Sequence, residues 1–124
     1  MSTPKTSAPA ISLDSLRDRL RQFAAERDWD QFHSPKNLAI ALSVEASELL
    51  EHFQWIRESD STLLPAEKLD EVREELADVL IYLVRMADKL DVNLLDAASK
   101  KMQKNAKKYP AERVRGSSKK YTDI

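Results

Sequence analysis

The chain has no cysteine, which excludes disulfide bridges and thiolate metal ligands and makes a reducing cytoplasm the simplest home. Glycine occurs once in 124 residues. That leaves few cheap left-handed turns and argues against a hairpin-rich sheet. No run of about 18 apolar residues is present, so no membrane-spanning helix is expected. The opening MSTPKTSAPA has no apolar signal core. Its Pro, Ser and Thr content predicts a disordered leader over residues 1–11.

What remains is a chain that is 42% apolar, enough for the core of one domain, with few β-branched runs. The expected class is all-α, a four-helix bundle-like core over residues 12–110 followed by a basic tail over 111–124. Net charge is −1, but its distribution is uneven. Between Ala41 and Asp78 stand eleven acidic residues against three basic ones, and from Ser99 to Ile124 nine basic against two acidic. The acidic half suits cations and the basic half suits phosphate, although two solvated faces of opposite sign account for the counts equally well.

Four helices are expected. The first starts at the N-cap Ser12 and runs to about Glu26, with Leu13, Leu16, Leu20 and Phe23 at helical spacing. Arg27 to His33 connects it to a second helix that opens at Ser34-Pro35 and continues to about Trp55. Leu38, Leu42, Leu49 and Phe53 share one side of it. The third begins at Pro65, after a loop around Ser59 to Leu64, and runs to about Lys89. Its stripe is Leu69, Val72, Leu76, Val79, Leu80 and Leu83, and Ile81 and Val84 widen it. A helix apolar on more than one side is buried on more than one side, which in so small a protein predicts a subunit interface. The fourth, capped by Asn93, ends near Tyr109 because Pro110 cannot continue it. Leu95, Ala98 and Met102 form its inner face, and from Ala111 a loop or flexible arm is expected.

The informative residues are carboxylates in apolar company. At 100° per residue Glu45 falls beside the arc of Leu38, Leu42, Leu49 and Phe53, and Glu48 lies one turn further near the same edge. Glu75 and Asp78, three apart, share a face with Glu71 and Tyr82. A buried carboxylate needs a partner, a proton or a metal. If the second and third helices pack antiparallel, four carboxylates converge, and each like-charged pair about 6 Å apart repels by about 2–3 kcal/mol at an effective dielectric near 20. Oxygen ligands alone select hard ions, Mg²⁺ or in substitution Mn²⁺, and Mg²⁺ retains waters and binds substrate phosphates. Surface salt bridges to Lys68 and Arg73 are the plain alternative. A di-iron bundle would require Glu-x-x-His on two helices, and Leu49 stands three before His52. Glu48 and His52, four apart, are a pair that zinc accepts, but a single His is a thin basis for such a site.

Glu45-Ala-Ser-Glu48 followed by Glu75-Leu-Ala-Asp78 resembles the ExxE…ExxD signature of the MazG-like superfamily of all-α nucleoside triphosphate pyrophosphohydrolases. The segments FAAERDWDQFH, KNLAIALSVEASELLEHFQW, EELADVLIYLV and KYTDI make the resemblance closest to the dCTP-cleaving members, over about Ser12 to Ile124. It implies a Mg²⁺-dependent cut between the α- and β-phosphates, with dCMP and pyrophosphate as products, and a homo-oligomer, a tetramer built from dimers. It carries the metal ligands to Glu45, Glu48, Glu75 and Asp78. Glu48 is the expected acceptor of the attacking water's proton. It further implies that Lys101 and Asn105 face the nucleotide with Tyr82 nearby, and that Trp29 and Trp55 stack the base in a pocket shared with Phe32 and His33. Arg113 and Arg115 are weaker candidates for phosphate. Leu20 departs from the pattern, standing where similar members carry His near the base, which implies looser selectivity for cytosine. A broad NTP or dUTP hydrolase is the nearest alternative. A non-catalytic helical oligomerisation or nucleic-acid-binding module is the more distant one, since the basic residues form no recognition motif.

Overall fold

The computed structural model describes residue 9 and residues 12–118. The expected leader therefore lies, except for Pro9, outside the described residues, as do residues 119–124 of the expected tail. Every regular element among the described residues is helical, so the all-α class holds.

Local chemistry accounts for the helix starts. In α1 (Leu13–Glu26) the Ser12 hydroxyl accepts from the Ser15 amide at 3.0 Å and the Ser15 hydroxyl accepts from the Ser12 amide at 3.1 Å, a reciprocal cap. Helix α2 (Pro35–Glu51) opens with the Ser34 hydroxyl accepting from the Asn37 amide at 3.1 Å and with Pro35 in the first turn, where its missing N–H costs nothing. Ser34→Ala should therefore cost about 1 kcal/mol. In a thermal melt that is a drop of about 4–8 °C, and an unchanged melting temperature would show that the cap adds nothing.

Helix α1 ends in a left-handed residue that is not glycine. Asp28 has φ +54°, its amide bonds to the Ala25 carbonyl at 3.1 Å, and the Trp29 amide reaches the Ala24 carbonyl at 2.9 Å. This is the paired closure of a Schellman cap, with Asp in the place glycine usually takes. Gln31 reinforces it, its side-chain amide donating to both the carboxylate and the carbonyl of Asp28. A 3-10 turn, Asp30–Phe32, then leads to α2.

The described residues up to Asp91 form one compact unit. In it α3 (Ala66–Lys89) runs antiparallel to α2, since Glu45 and Glu48 meet Glu75 while His52, further along α2, meets Glu71 and Lys68, earlier on α3. A second 3-10 turn, Glu58–Asp60, lies in the connection. Helix α2 stops at Glu51, four residues short of the expected Trp55. The ladder tightens there, Phe53 bonding back to Leu50 at 2.9 Å and Ile56 to Phe53 at 3.2 Å. Such three-residue bonds satisfy carbonyls that a continuing helix would have used.

Among the described residues the interior is small: Ala24, Leu38, Val72, Val84 and Ala87, with one buried charge, Arg85. The expected α3 stripe divides. Val72 and Val84 turn inward, whereas Leu69, Leu76, Leu80 and Leu83 are exposed. At 100° per residue those four leucines span only about 60° of the helix, a row of their own. On α2, Ile40 and Val44 are likewise exposed, one turn apart.

The described residues from Val92 onward form the second unit. Asn93 caps α4 (Leu94–Lys108), accepting from the Asp96 amide at 3.0 Å. The expected loop or arm after Tyr109 contains instead a short helix, α5 (Ala111–Val114). Pro110 ends one helix and starts the next, its carbonyl receiving the Arg113 amide at 2.9 Å.

Candidate active site

Glu45 and Glu48 are one turn apart on α2, and Glu75 and Asp78 are three apart on α3. Antiparallel packing brings one carboxylate oxygen each from Glu45, Glu48 and Glu75 within 4.8 Å of one another, and all three side chains are half-buried. Asp78 stands outside that tight trio, yet its charge acts on both Glu45 and Tyr82.

Glu45 Oε2 and Glu75 Oε2 are buried and accept no hydrogen bond. Two such oxygens on anions are costly, because a charged group out of water needs a counter-charge or a proton. Like charges under 5 Å apart add a repulsion of about 3 kcal/mol per pair at an effective dielectric near 20. The Glu45 carboxyl is accordingly pushed up to about 7. Burial is the main cause, followed by the hydrogen bond with Glu48 and the charges of Glu48, Asp78 and Glu75. Oxygen donors alone, two of them unsatisfied, fit a hard divalent cation.

Tyr82, one turn beyond Asp78, is half-buried at the edge of this cluster. Burial, then the charges of Glu45, Asp78 and Glu48, push its hydroxyl up, so it stays protonated and able to donate. His52 flanks the other side. Its Nε2 lies 3.8 Å from Glu75 Oε1, its Nδ1 lies 3.5 Å from Glu71 Oε2, and Lys68 Nζ is 3.3 Å from that same Nδ1. His52 is thus engaged with charged side chains of α3.

The aromatic candidates fall in different places. Trp29 packs edge-on against Phe23, ring centres 5.9 Å apart, and Phe32 and His33 follow in the next turn. Trp29 and Phe32 are about half exposed, surfaces on which a flat ring can stack. Trp55 is 88% exposed, past the end of α2. Lys101 and Asn105 are exposed on α4, in the second unit.

A charged network went unread in the sequence. The Arg85 guanidinium, 3% exposed, donates to Asp30 Oδ1 at 3.0 Å and to His33 Nδ1 at 3.2–3.3 Å, and lies 3.6 Å from Asp88. Arg21 on α1 forks onto both oxygens of Asp88, and Lys89 also holds Asp30. A lone arginine inside the run LIYLVRMA was the available signal, since a cation in an apolar stretch must find anions.

The MazG-like family model matches residues 40–124 of the chain. The chain is 43% identical to dCTP pyrophosphatase 1 of Mus musculus over 98% of its own length and 72% of that protein. It is 44% identical to dCTP pyrophosphatase 1 of Homo sapiens over 94% of its length and 70% of that protein. Among solved structures, a pyrophosphatase from Archaeoglobus fulgidus DSM 4304 superposes with a TM-score of 0.72 at 45% identity, over 83% of this chain and 96% of that one.

Proposed function

This chain belongs to the MazG-like family, and from that membership we propose that it is a dCTP pyrophosphatase, hydrolysing dCTP to dCMP and pyrophosphate with Mg²⁺. The observation that carries the metal part of this reading is the pair of buried, partnerless oxygens on Glu45 and Glu75 beside Glu48. Glu45, Glu48, Glu75 and Asp78 would hold the Mg²⁺, with Mn²⁺ able to replace it. When bound, the cation neutralises the triphosphate and fixes its position.

The chain's own residues then divide the work. Glu48 takes a proton from the attacking water as its oxygen bonds to phosphorus, the α–β bridging P–O bond breaks, and pyrophosphate leaves. Tyr82 donates a hydrogen bond at the edge of the carboxylates. Trp29, Phe32, His33 and Trp55 receive the base, and Lys101 and Asn105 the rest of the nucleotide. The exposed leucine row of α3 is covered by another copy of the chain in a homotetramer, and the enzyme serves to clean the cytoplasmic nucleotide pool.

The deciding assay offers the four dNTPs and 5-methyl-dCTP with Mg²⁺ and identifies the products. Pyrophosphate and dCMP, with dCTP or its 5-methyl form preferred, is the expected result. Orthophosphate as the sole product would reject the assigned bond, and equal rates on all four dNTPs would replace the substrate with a broad NTP class, the direction in which Leu20 leans.

A further inference from the structure

The charged network around Arg85 has no part in the phosphate chemistry, yet it grips the segment that carries Trp29, Phe32 and His33. Counted along α3 at 100° per residue, Glu75, Asp78, Tyr82 and Arg85 fall within an arc of about 80°. Arg85 lies two turns, about 10 Å of axial rise, beyond Asp78. A single helix face thus bears carboxylates at one level and, two turns on, a guanidinium directed at the aromatic turn.

We propose that Arg85 is a positioning residue for nucleotide binding: from inside the fold it fixes the Trp29–His33 segment and orients the His33 ring with its proton on Nε2. The proposal rests on the base-binding role assigned to that segment under the proposed function. A guanidinium carries only donors, so His33 Nδ1, approached by Arg85 Nε at 3.3 Å and Nη2 at 3.2 Å, is the acceptor of the ring. The ring proton then lies on Nε2, and His33 offers that nitrogen as a donor.

The network is built to keep Arg85 still. Asp88, itself largely buried, stands 3.6 Å from Arg85 Nη1 and is clamped from the other side by Arg21 of α1. Asp30 takes both Arg85 and Lys89, which sit one turn apart on α3. The 3-10 turn Asp30–Phe32 is thereby tied at its first residue, and His33 is tied immediately after its last. Trp29 is fixed from its other end by the Schellman cap of α1. Few side chains in so small a domain could set a base-binding wall more firmly, because a buried, multiply bonded cation has one low-energy placement.

The test compares wild type with Arg85→Met and Arg85→Lys in dCTP hydrolysis, in ranking of the four dNTPs, and in a long-range ¹H–¹⁵N spectrum of the histidine rings. Only His33 and His52 contribute to that spectrum, and a His52→Gln sample assigns them. Arg85→Met is expected to raise KM for dCTP about tenfold or more with kcat within about threefold, the signature of lost positioning rather than lost chemistry. Its preference among dNTPs should narrow, and His33 should become a mixture of tautomers. Arg85→Lys should recover part of the KM, since an ammonium can hold Asp30 but lacks the fork. Should Arg85→Met fail to fold, Asp30→Ala tests the hold on the aromatic turn alone: KM and dNTP ranking should move in the same direction as in Arg85→Met, while His33, still facing Arg85, keeps its tautomer. A folded Arg85→Met with wild-type KM, dNTP ranking and His33 tautomer, or Asp30→Ala with wild-type KM and dNTP ranking, overturns the proposal and leaves a purely structural clamp. Hydrolysis by the wild type with unchanged variants sinks only Arg85, whereas a wild type that hydrolyses none of the nucleotides sinks the reading beneath it.

Discussion

Glu45→Gln is expected to lower dCTP turnover by at least about a thousandfold while making the metal-free protein more stable than wild type at pH 8. The two effects have one cause. The carboxylate proposed to bind the cation is, without it, an anion crowded by Glu48, Asp78 and Glu75. Folding raises this carboxyl to about 7, above the roughly 4.3 of a free glutamate. Between those values the folded chain holds a proton that the unfolded chain has lost, so folding stability falls as pH rises. The favourable contribution is whole below about pH 4 and is lost as pH passes through 7. Denaturation with chelator present, at pH 6 and pH 8, should show wild type weakening at the higher pH and Glu45→Gln flat between the two. Mg²⁺ should bind wild type more tightly as pH rises through 7, because it displaces that proton. Asp78→Asn should also abolish turnover with the helical spectrum intact. Full activity in either variant removes the carboxylates from the site.

The second large effect belongs to Asp88→Ala, with a loss of about 3 kcal/mol. Asp88 is largely buried between Arg21 and Arg85, and its removal leaves the buried guanidinium short of a counter-charge. The melting temperature should fall by more than about 10 °C. Asp70→Ala is the control, because its pair with Arg73 is solvent-exposed on both sides and is worth at most about 0.5 kcal/mol. Equal losses in the two variants would place the Arg85 network among ordinary surface pairs. The hydrogen bonds from Arg21, with its charge and that of Arg85, hold the Asp88 carboxyl below the usual carboxylate range despite its burial. This is the opposite sign to Glu45. The contribution is present above about pH 4 and is lost as pH falls through the depressed value, so wild type should lose stability in acid that Asp88→Ala has already lost.

Helix starts were readable because capping is a matter of three or four adjacent residues. Ser12, Ser34-Pro35 and Asn93 each stand where their side chains or rings are needed. The end of α2 was not, since neither glycine nor proline marks it and the tightening at Leu50 to Phe53 depends on how the chain turns away toward α3. Glu45 betrayed itself by sitting among leucines, and the trio with Glu48 and Glu75 emerged once two helices were paired. Periodicity established that α3 is apolar on several sides but carried no information about what covers each side. Val72 and Val84 are covered by the chain itself, and Leu69, Leu76, Leu80 and Leu83 are not. The Arg85 network escaped because its partners are far off in sequence: Asp30 is 55 residues away and His33 52. The connection from Arg27 to His33 was legible, but the left-handed Asp28 and the short 3-10 turn that aim Asp30 and His33 at Arg85 were not, because no glycine marks the reversal.

If a second copy closes over the uncovered leucine row of α3, as proposed above, the durability of this fold depends on how much of it is present. With only five apolar residues buried in the described chain, a solitary molecule has a small core to hold it against unfolding. Whatever closes over the row returns about 25 cal/mol for each square ångström withdrawn from water, and that return obeys mass action. Dilution would then act as a mild denaturant, and the midpoint of a melt would climb with the logarithm of protein concentration.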